Sequence, residues 1–379
     1  MSIAPWLREI GRGRDGARAL ARGEAAELFG QVLDRTASDL EVGAFCIAMR
    51  VKGETTSEMN GFLDATEARI DAWPESADPT RPLLVLPSYN GARRLPVLTP
   101  LLALLLARRG WPVLVHGMRS EARRITASDV LSLLGVAPRS GGGAVATGAV
   151  ATVATSTLHA GLARLLSVRE TIGLRNSGHS VVKLLAPAGA VLVTGYTHGE
   201  YQETMHAVCV ERGRAALLSR GLEGEPAADP RRTPRYDAFL RGEHRLVQSQ
   251  EGGTLAEVPG LPAAIDAETT ARWTERVLEG REPLPPGLAR QVELVAELAE
   301  AARSPGGSSV GEASRVDEGA GRGRAAERPG APASSDAWMS ASASATAAPA
   351  ATADATRPTR SDAPTSLIDG GPAVDRRRP

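Results

Sequence analysis

Leu83-Leu84-Val85-Leu86-Pro87-Ser88-Tyr89-Asn90-Gly91-Ala92-Arg93-Arg94 sets the fold. A short apolar run closed by a proline has the form of a strand buried on both faces, as in a parallel sheet. The polar, glycine-containing stretch after it reads as a loop ending in two arginines. Downstream, residues 98–109 read as a helix, 112–115 as a second strand, and 126–134 as a helix ending at Gly135. Residues 144–155 are weakly strand-like; 190–194 and 214–218 are further strands, and 266–302 is helical. Alternating strands and helices predict an α/β fold with a mostly parallel sheet covered on both faces.

Upstream of this run the pattern is helical. Ser38-Asp39-Leu40-Glu41 and Thr55-Thr56-Ser57-Glu58 have the form of capping boxes, which open helices. Between them Val42, Phe45, Cys46 and Met49 follow helical spacing up to Gly53, a fitting end residue. Pro74, Pro79 and Pro82 mark a linker. The expected organisation is a small N-terminal helical domain over 1–75, with an inserted helical piece near 160–178. A larger α/β domain follows over 80–302, and then a tail, 303–379. The tail is rich in Ala, Ser, Thr, Pro and Gly and is expected to be disordered.

Composition narrows the classes. The 379 residues carry 44 Lys+Arg and 44 Asp+Glu, so net charge alone points to no polyanion. Two cysteines, Cys46 and Cys209, exclude a disulfide framework. Six scattered histidines make a metal site unexpected, and no cofactor is expected. No stretch has the length of a membrane span and no signal peptide is visible, so a cytoplasmic protein without a membrane partner is the expectation. The charge is unevenly spread. Residues 81–183 hold 13 basic and 3 acidic residues, whereas 251–300 hold 4 basic and 10 acidic. Of the 44 basic residues only Lys52 and Lys183 are lysines. Arginine grips phosphate bidentately and stacks on bases.

Ligands of parallel α/β sheets bind beyond the carboxyl ends of the strands. Two strand ends bring arginines there: Ser88 to Arg94, and His116-Gly117-Met118-Arg119 followed by Arg123-Arg124. Arg169, Arg175, His179 and Lys183 form a third stretch, and Arg231, Arg232 and Arg235 a fourth. Arg108 and Arg109 close the first helix of the α/β region.

Several ordered motifs carry a resemblance. Arg50-Val51-Lys52-Gly53-Glu54-Thr55 resembles the Arg-x-Lys-Gly-Glu-Thr signature of anthranilate phosphoribosyltransferases and related pyrimidine nucleoside phosphorylases. The first strand end sits where those enzymes carry a Gly-Thr-Gly-Gly-Asp loop, and the second where they carry Lys-His-Gly-Asn-Arg. Arg169 to Asn176 is similar to their Arg-x-x-x-Gly-x-Arg-Thr segment. The resemblance spans about residues 5–300 and implies the nucleoside phosphorylase/phosphoribosyltransferase class III fold of glycosyltransferase family 3.

The departures bear on activity. A diphosphate loop needs glycines so that backbone N–H groups can close on phosphate; here bulky Tyr89 replaces one. Val115 stands where the family has its lysine. The magnesium-binding Asp-Glu pair falls near Gly221-Leu222-Glu223-Gly224-Glu225-Pro226, which has no adjacent acid pair, although Glu223 and Glu225 are partial substitutes. Pro87–Arg93, 98–106, 113–117, Arg175–His179 and 220–226 resemble the YbiB-like subgroup, described as DNA-binding relatives of the transferases. That resemblance implies a homodimer joined through its helical domains and sequence-independent binding of single- or double-stranded DNA, or of RNA, without catalysis. Tyr89, Arg93, Arg94, Arg108, Arg109, Arg119, Arg123, Arg124, Arg169, Arg175, Lys183, Arg231, Arg232 and Arg235 are the candidate nucleic-acid contacts. Ser88, Asn90, Gly91, His116 and Gly117 form the candidate remnant of a phosphate pocket. No catalytic residue is assigned. The alternative is a glycosyltransferase acting on a phosphoribosyl donor.

Each assignment has a plainer counterpart. Arg93 and Arg94 also suit a solvated loop, and Arg108 and Arg109 the negative end of a helix. Arg169 and Arg175 are equally placed to pair with carboxylates such as Glu170. Arg231, Arg232 and Arg235 flank a turn and suit a structural role. Tyr89 suits the core, and His116 and His179 suit hydrogen-bonded structural positions.

Overall fold

A computed structural model describes residues 2–118 and 124–303. The candidate residues Arg119 and Arg123, and the tail from residue 304 onward, lie outside the described residues.

The strands are β1 (Pro74–Ser76), β2 (Leu84–Pro87), β3 (Val113–Gly117), β4 (Pro138–Arg139), β5 (Gly143–Val145), β6 (Val150–Ala154), β7 (Val191–Tyr196), β8 (Ala215–Arg220), β9 (Tyr236–Leu240) and β10 (Glu243–Gln248). Among the described residues, eight of them form one sheet in the order β10-β9-β8-β7-β2-β3-β6-β4. Pairing is parallel from β8 across to β4, and β9 and β10 add antiparallel pairs at one edge. A small N-terminal helical domain packs on this α/β domain.

The continuous apolar strands follow from burial on both faces, and side chains alternate between two cores. Val85, Leu114, Leu192 and Leu218 face the core shared with the N-terminal helices. Leu84, Leu86, Val113, Val115, Val193 and Leu217 face the other core. That second core is covered by the helices Thr99–Arg108, Ala127–Leu133, Ala267–Leu278 and Pro286–Ala302.

The helical domain is organised by its caps. Ser38 and Glu41 form a reciprocal capping box, with Glu41 N–H donating to Ser38 Oγ at 3.3 Å and Ser38 N–H donating to Glu41 Oε2 at 2.9 Å. Thr55 and Glu58 repeat it. Glu58 also takes the Lys52 ammonium at 2.6 Å, in a pair almost wholly buried. Phe29 stacks on Phe62 at 4.5 Å, and Phe45 meets both rings edge-on. Cys46 is buried in this packing.

Two sequence expectations are corrected here. The expected linker at 74–82 contains β1, which pairs in parallel with β5. The weak strand expected over 144–155 divides into β5, β6 and a short helix, Thr155–Leu158. The hairpin of β9 and β10 was not anticipated; its strands take polar residues such as Asp237 and His244, which hide the apolar alternation.

Candidate functional site

The chain moves from β2 outward to β3 on one side, while β7 lies on the other side of β2. The crevice between β2 and β7 is therefore a topological switch point, where α/β sheets bind ligands. Two loops meet above it: residues 88–94 after β2 and residues 221–226 after β8.

The first loop is shaped by close approach. Gly91 has φ 62°, and a Cβ there would stand 2.7 Å from the Ile125 carbonyl oxygen. Gly117, at the end of β3, lies so near Ser88 that a Cβ would fall 1.9 Å from the Ser88 carbonyl oxygen. Only glycine fits at either position.

The resulting cradle holds a carboxylate of the chain itself. Glu225 is 2% exposed. It accepts from the backbone N–H of Asn90 at 3.1 Å and of Gly91 at 2.9 Å, and from Thr99 Oγ1 at 3.0 Å. The Ser88 hydroxyl donates a short hydrogen bond to it as well. Thr99 opens the helix Thr99–Arg108, so the positive end of that helix faces the carboxylate. Burial pushes the Glu225 carboxyl above its ordinary range, and the four hydrogen bonds pull the other way. The adjoining cavity, lined by Ser88, Gly117, Thr152 and Ala154 among others, has the scale of one water.

Glu223 closes a second set of donors. It accepts from Arg93 N–H at 2.6 Å and Arg94 N–H at 3.4 Å. Its carboxylate lies 3.5 Å from Arg93 Nε and 3.8 Å from Arg124 Nη1. Its backbone takes the unusual left-handed φ of 52°, and its carbonyl accepts from Asn90 Nδ2 at 2.5 Å. Arg175 donates to Asn90 Oδ1, and Arg124 to the Gly91 carbonyl at 3.1 Å. Burial lowers the Arg124 pKa, Glu223 opposes the shift, and Arg175, Arg93 and Arg169 add to it by repulsion. These cations therefore converge on one place. Lys183 is half-buried beside them, donates to the Gly195 carbonyl at 2.6 Å, and is drawn down to about 8 by desolvation and by Arg175. Among the described residues, Arg93, Arg124, Arg175 and Lys183 alone outnumber Glu223 and Glu225 by two.

Other candidate residues sit elsewhere or are engaged. Tyr89 is buried and packs edge-on against His179, centroids 5.6 Å apart, so it presents no face for a base. His116 is buried with Nε2 3.0 Å from the Leu185 carbonyl, and burial pushes it down to about 4. His179, pushed down to about 3 by burial and Arg175, accepts from Asn176 N–H at 3.2 Å. Arg108 and Arg109 end the helix Thr99–Arg108. That helix starts at the carboxyl edge of the sheet and runs back about 15 Å at 1.5 Å per residue. Both arginines therefore lie at the opposite edge from Arg93, and Arg108 donates to the Leu278 carbonyl. Arg231 and Arg232 pair with Asp229 at 2.9 and 3.1 Å, and Arg235 pairs with Asp237 at 2.7 Å. Arg94 is exposed, and Arg169 is half-buried. Sequence reasoning overlooked Thr99 in the cradle; a threonine opening the helix after the loop was the available signal.

The family's magnesium fits poorly here. The two nearest acids are committed to N–H, hydroxyl and guanidinium donors and are separated by Gly224. Among the described residues no group of three or more His, Cys, Asp or Glu side chains is arranged to hold a metal.

A helical bundle on a mostly parallel sheet, with a glycine-bent anion loop at its switch point, defines the architecture of phosphoribosyltransferases of the anthranilate type. Residues 5–69 match the glycosyl transferase family helical bundle domain. The chain is 36% identical over 300 residues to the uncharacterized protein YbiB of Escherichia coli K12, covering 77% of this chain and 92% of that one. It is 32% identical over 299 residues to the anthranilate phosphoribosyltransferase of Beijerinckia indica, covering 73% and 81%. The chain belongs to the anthranilate phosphoribosyltransferase-like proteins of glycosyltransferase family 3. Its fold is similar to anthranilate phosphoribosyltransferase of Thermus thermophilus, with TM-score 0.59 and 23% identity over 78% of this chain and 88% of that one. It is also similar to the Saccharomyces cerevisiae enzyme in complex with PRPP and Mg, with TM-score 0.58 and 13% identity over the same shares. Among the described residues no helix is long and apolar enough to cross a membrane.

Proposed function

We propose that this chain is a non-catalytic, cytoplasmic member of its family that binds nucleic acid, DNA or RNA, without sequence preference. The single observation behind this reading is the cluster at the switch point. The anion cradle is filled by Glu225, while guanidinium groups in excess of the carboxylates crowd its rim. A filled cradle leaves no place for the diphosphate of a phosphoribosyl donor. Surplus arginines at a rim suit the phosphates of a polymer, which are read through charge alone. The binding residues in this reading are Arg93, Arg94, Arg124, Arg169 and Arg175, together with Arg119 and Arg123 of the adjoining segment. Arg108, Arg231, Arg232 and Arg235 hold structural places in this reading, and Arg109 lies with Arg108 at the far end of its helix.

The active species in this reading is a homodimer. Leu40, Ile47 and Val51 are 85%, 43% and 50% exposed, and with Ala44 they line one face of the helix Asp39–Lys52. An apolar stripe of this kind suits a second copy of the same helix.

Fluorescence anisotropy with single- and double-stranded oligonucleotides at two salt concentrations tests the reading. Binding that weakens steeply with salt is expected, as counterions are released from the nucleic acid. Replacing Arg93, Arg94, Arg123 and Arg124 together by Ala is expected to remove most of the affinity. Calorimetric titration with phosphoribosyl diphosphate and magnesium is expected to give no binding heat. A clear magnesium-dependent heat would favour a transferase instead.

A further inference from the structure

Glu223 and Glu225 stand two residues apart on one loop but are held very differently. Glu225 is locked inside by two hydroxyls and two N–H groups. Glu223 sits on the rim. Its side chain keeps 10% exposure, and its ion-pair distances to Arg93 and Arg124 are 3.5 and 3.8 Å. These are loose contacts beside the 2.6 Å hydrogen bond from Arg93 N–H. Arg93 is 55% exposed and open to water. The Glu223 backbone adopts a left-handed conformation with φ 52° and ψ 18°, which disfavours a residue bearing a Cβ. A single carboxylate thus occupies a position made of two guanidinium groups and two N–H groups. That donor set is the one a phosphate diester of a polymer backbone would take.

We propose that Glu223 is an internal competitor for the nucleic-acid backbone. A bound phosphate displaces its carboxylate from Arg93, Arg124 and the N–H groups of Arg93 and Arg94, while Glu225 stays in the cradle as the anchor of the loop. This rests on the reading of the rim as a nucleic-acid site. It sets the affinity of that site, because each phosphate must displace an anion already in place. Removing the competitor leaves Arg93 and Arg124 to be neutralised by counterions, which binding then releases.

The test compares wild type, Glu223→Gln and Glu170→Gln in anisotropy titrations with a single-stranded oligonucleotide over a range of salt. Glu170 is exposed and follows Arg169 in the chain, so its loss removes one negative charge without touching the Glu223 contacts. Glu223→Gln is expected to tighten binding about tenfold at low salt and to steepen the salt dependence by about one unit of log–log slope, as one further phosphate contact would. Glu170→Gln is expected to change affinity by less than about threefold, as a screened surface charge does. Equal effects of the two variants would overturn the proposal. A wild type that binds no oligonucleotide would instead overturn the functional reading, and the competitor role with it. Should Glu223→Gln fail to fold, hydrogen exchange on the wild type decides. On adding oligonucleotide, the amides of Arg93 and Arg94 are expected to change protection, while those of Asn90 and Gly91 are not. The reverse pattern would overturn the proposal.

Discussion

The Gly91 N–H points at the Glu225 carboxylate across 2.9 Å, so an anion site of this sheet is satisfied by the chain's own side chain. Crevices at the carboxyl ends of parallel strands, next to a helix N-terminus, are where such sheets receive anionic ligands. Here the loop after β8 supplies the negative charge internally. Of the arginines that contact this loop pair, Arg93 keeps its guanidinium open to water, 55% exposed.

That buried hydrogen-bond set has a stability consequence. Glu225→Ala leaves two N–H groups and two hydroxyls without an acceptor in a buried place. The expected loss is about 3 kcal/mol, in the range for breaking a buried charged network. A urea unfolding curve at neutral pH checks this. A variant as stable as wild type would mean that the cradle does not need its carboxylate.

Acid should weaken the fold through His116 and His179. Their folded values lie at about 4 and about 3, below the ordinary 6.5, because burial disfavours the charged ring. The unfolded chain therefore binds more protons across this window, so stability is full above about pH 6.5 and is lost as pH falls toward 4. For His116 the shift corresponds to about 3 kcal/mol at about 1.36 kcal/mol per unit. Glu225 acts in the opposite sense, since its raised value makes stability fall as pH rises through the carboxylate range. The difference in unfolding free energy between wild type and His116→Asn, followed from about pH 7 to about pH 4, isolates the histidine. That difference is expected to shrink as pH falls.

Tyr89 separates packing from recognition. It is 4% exposed and packed on His179. Tyr89→Ala is expected to cost about 3–5 kcal/mol, as removal of a large buried ring does. Tyr89→Phe should leave oligonucleotide affinity unchanged within twofold. A large loss of affinity in Tyr89→Phe at unchanged stability would give the ring a direct role.

The two edges of the sheet should behave differently. Arg108→Ala with Arg109→Ala is expected to change oligonucleotide affinity by less than about threefold, since both lie across the sheet from the rim. Arg93→Ala with Arg94→Ala is expected to weaken it by at least about tenfold. Equal effects of the two pairs would spread the binding surface over both edges.

Leu40→Glu with Ile47→Glu tests the dimer. Light scattering is expected to show the mass of a single chain for this variant and of two chains for wild type. Both side chains are exposed, so the variant is expected to fold, and circular dichroism checks that directly.

Local rules were enough for much of the fold. The capping boxes at Ser38 and Thr55, the apolar strands β2, β3, β7 and β8, and the helix breaks at Gly53 and Gly135 all depend on neighbours a few residues away. Such patterns are written along the chain, because a strand buried on both faces must be apolar throughout and a helix end must satisfy its own N–H groups. The strand ends with their glycines and arginines were visible for the same reason. Charge partners were not. Arg93 and Glu223 are 130 residues apart, as are other members of the site by similar spans, and nothing local distinguishes an arginine facing water from one facing a carboxylate. The inward turn of Tyr89, the placement of Arg108 behind the sheet, and the entry of Glu225 into the cradle all follow from which loops the sheet order brings together. That order is set by long-range packing, and it decides which charges remain available to a ligand.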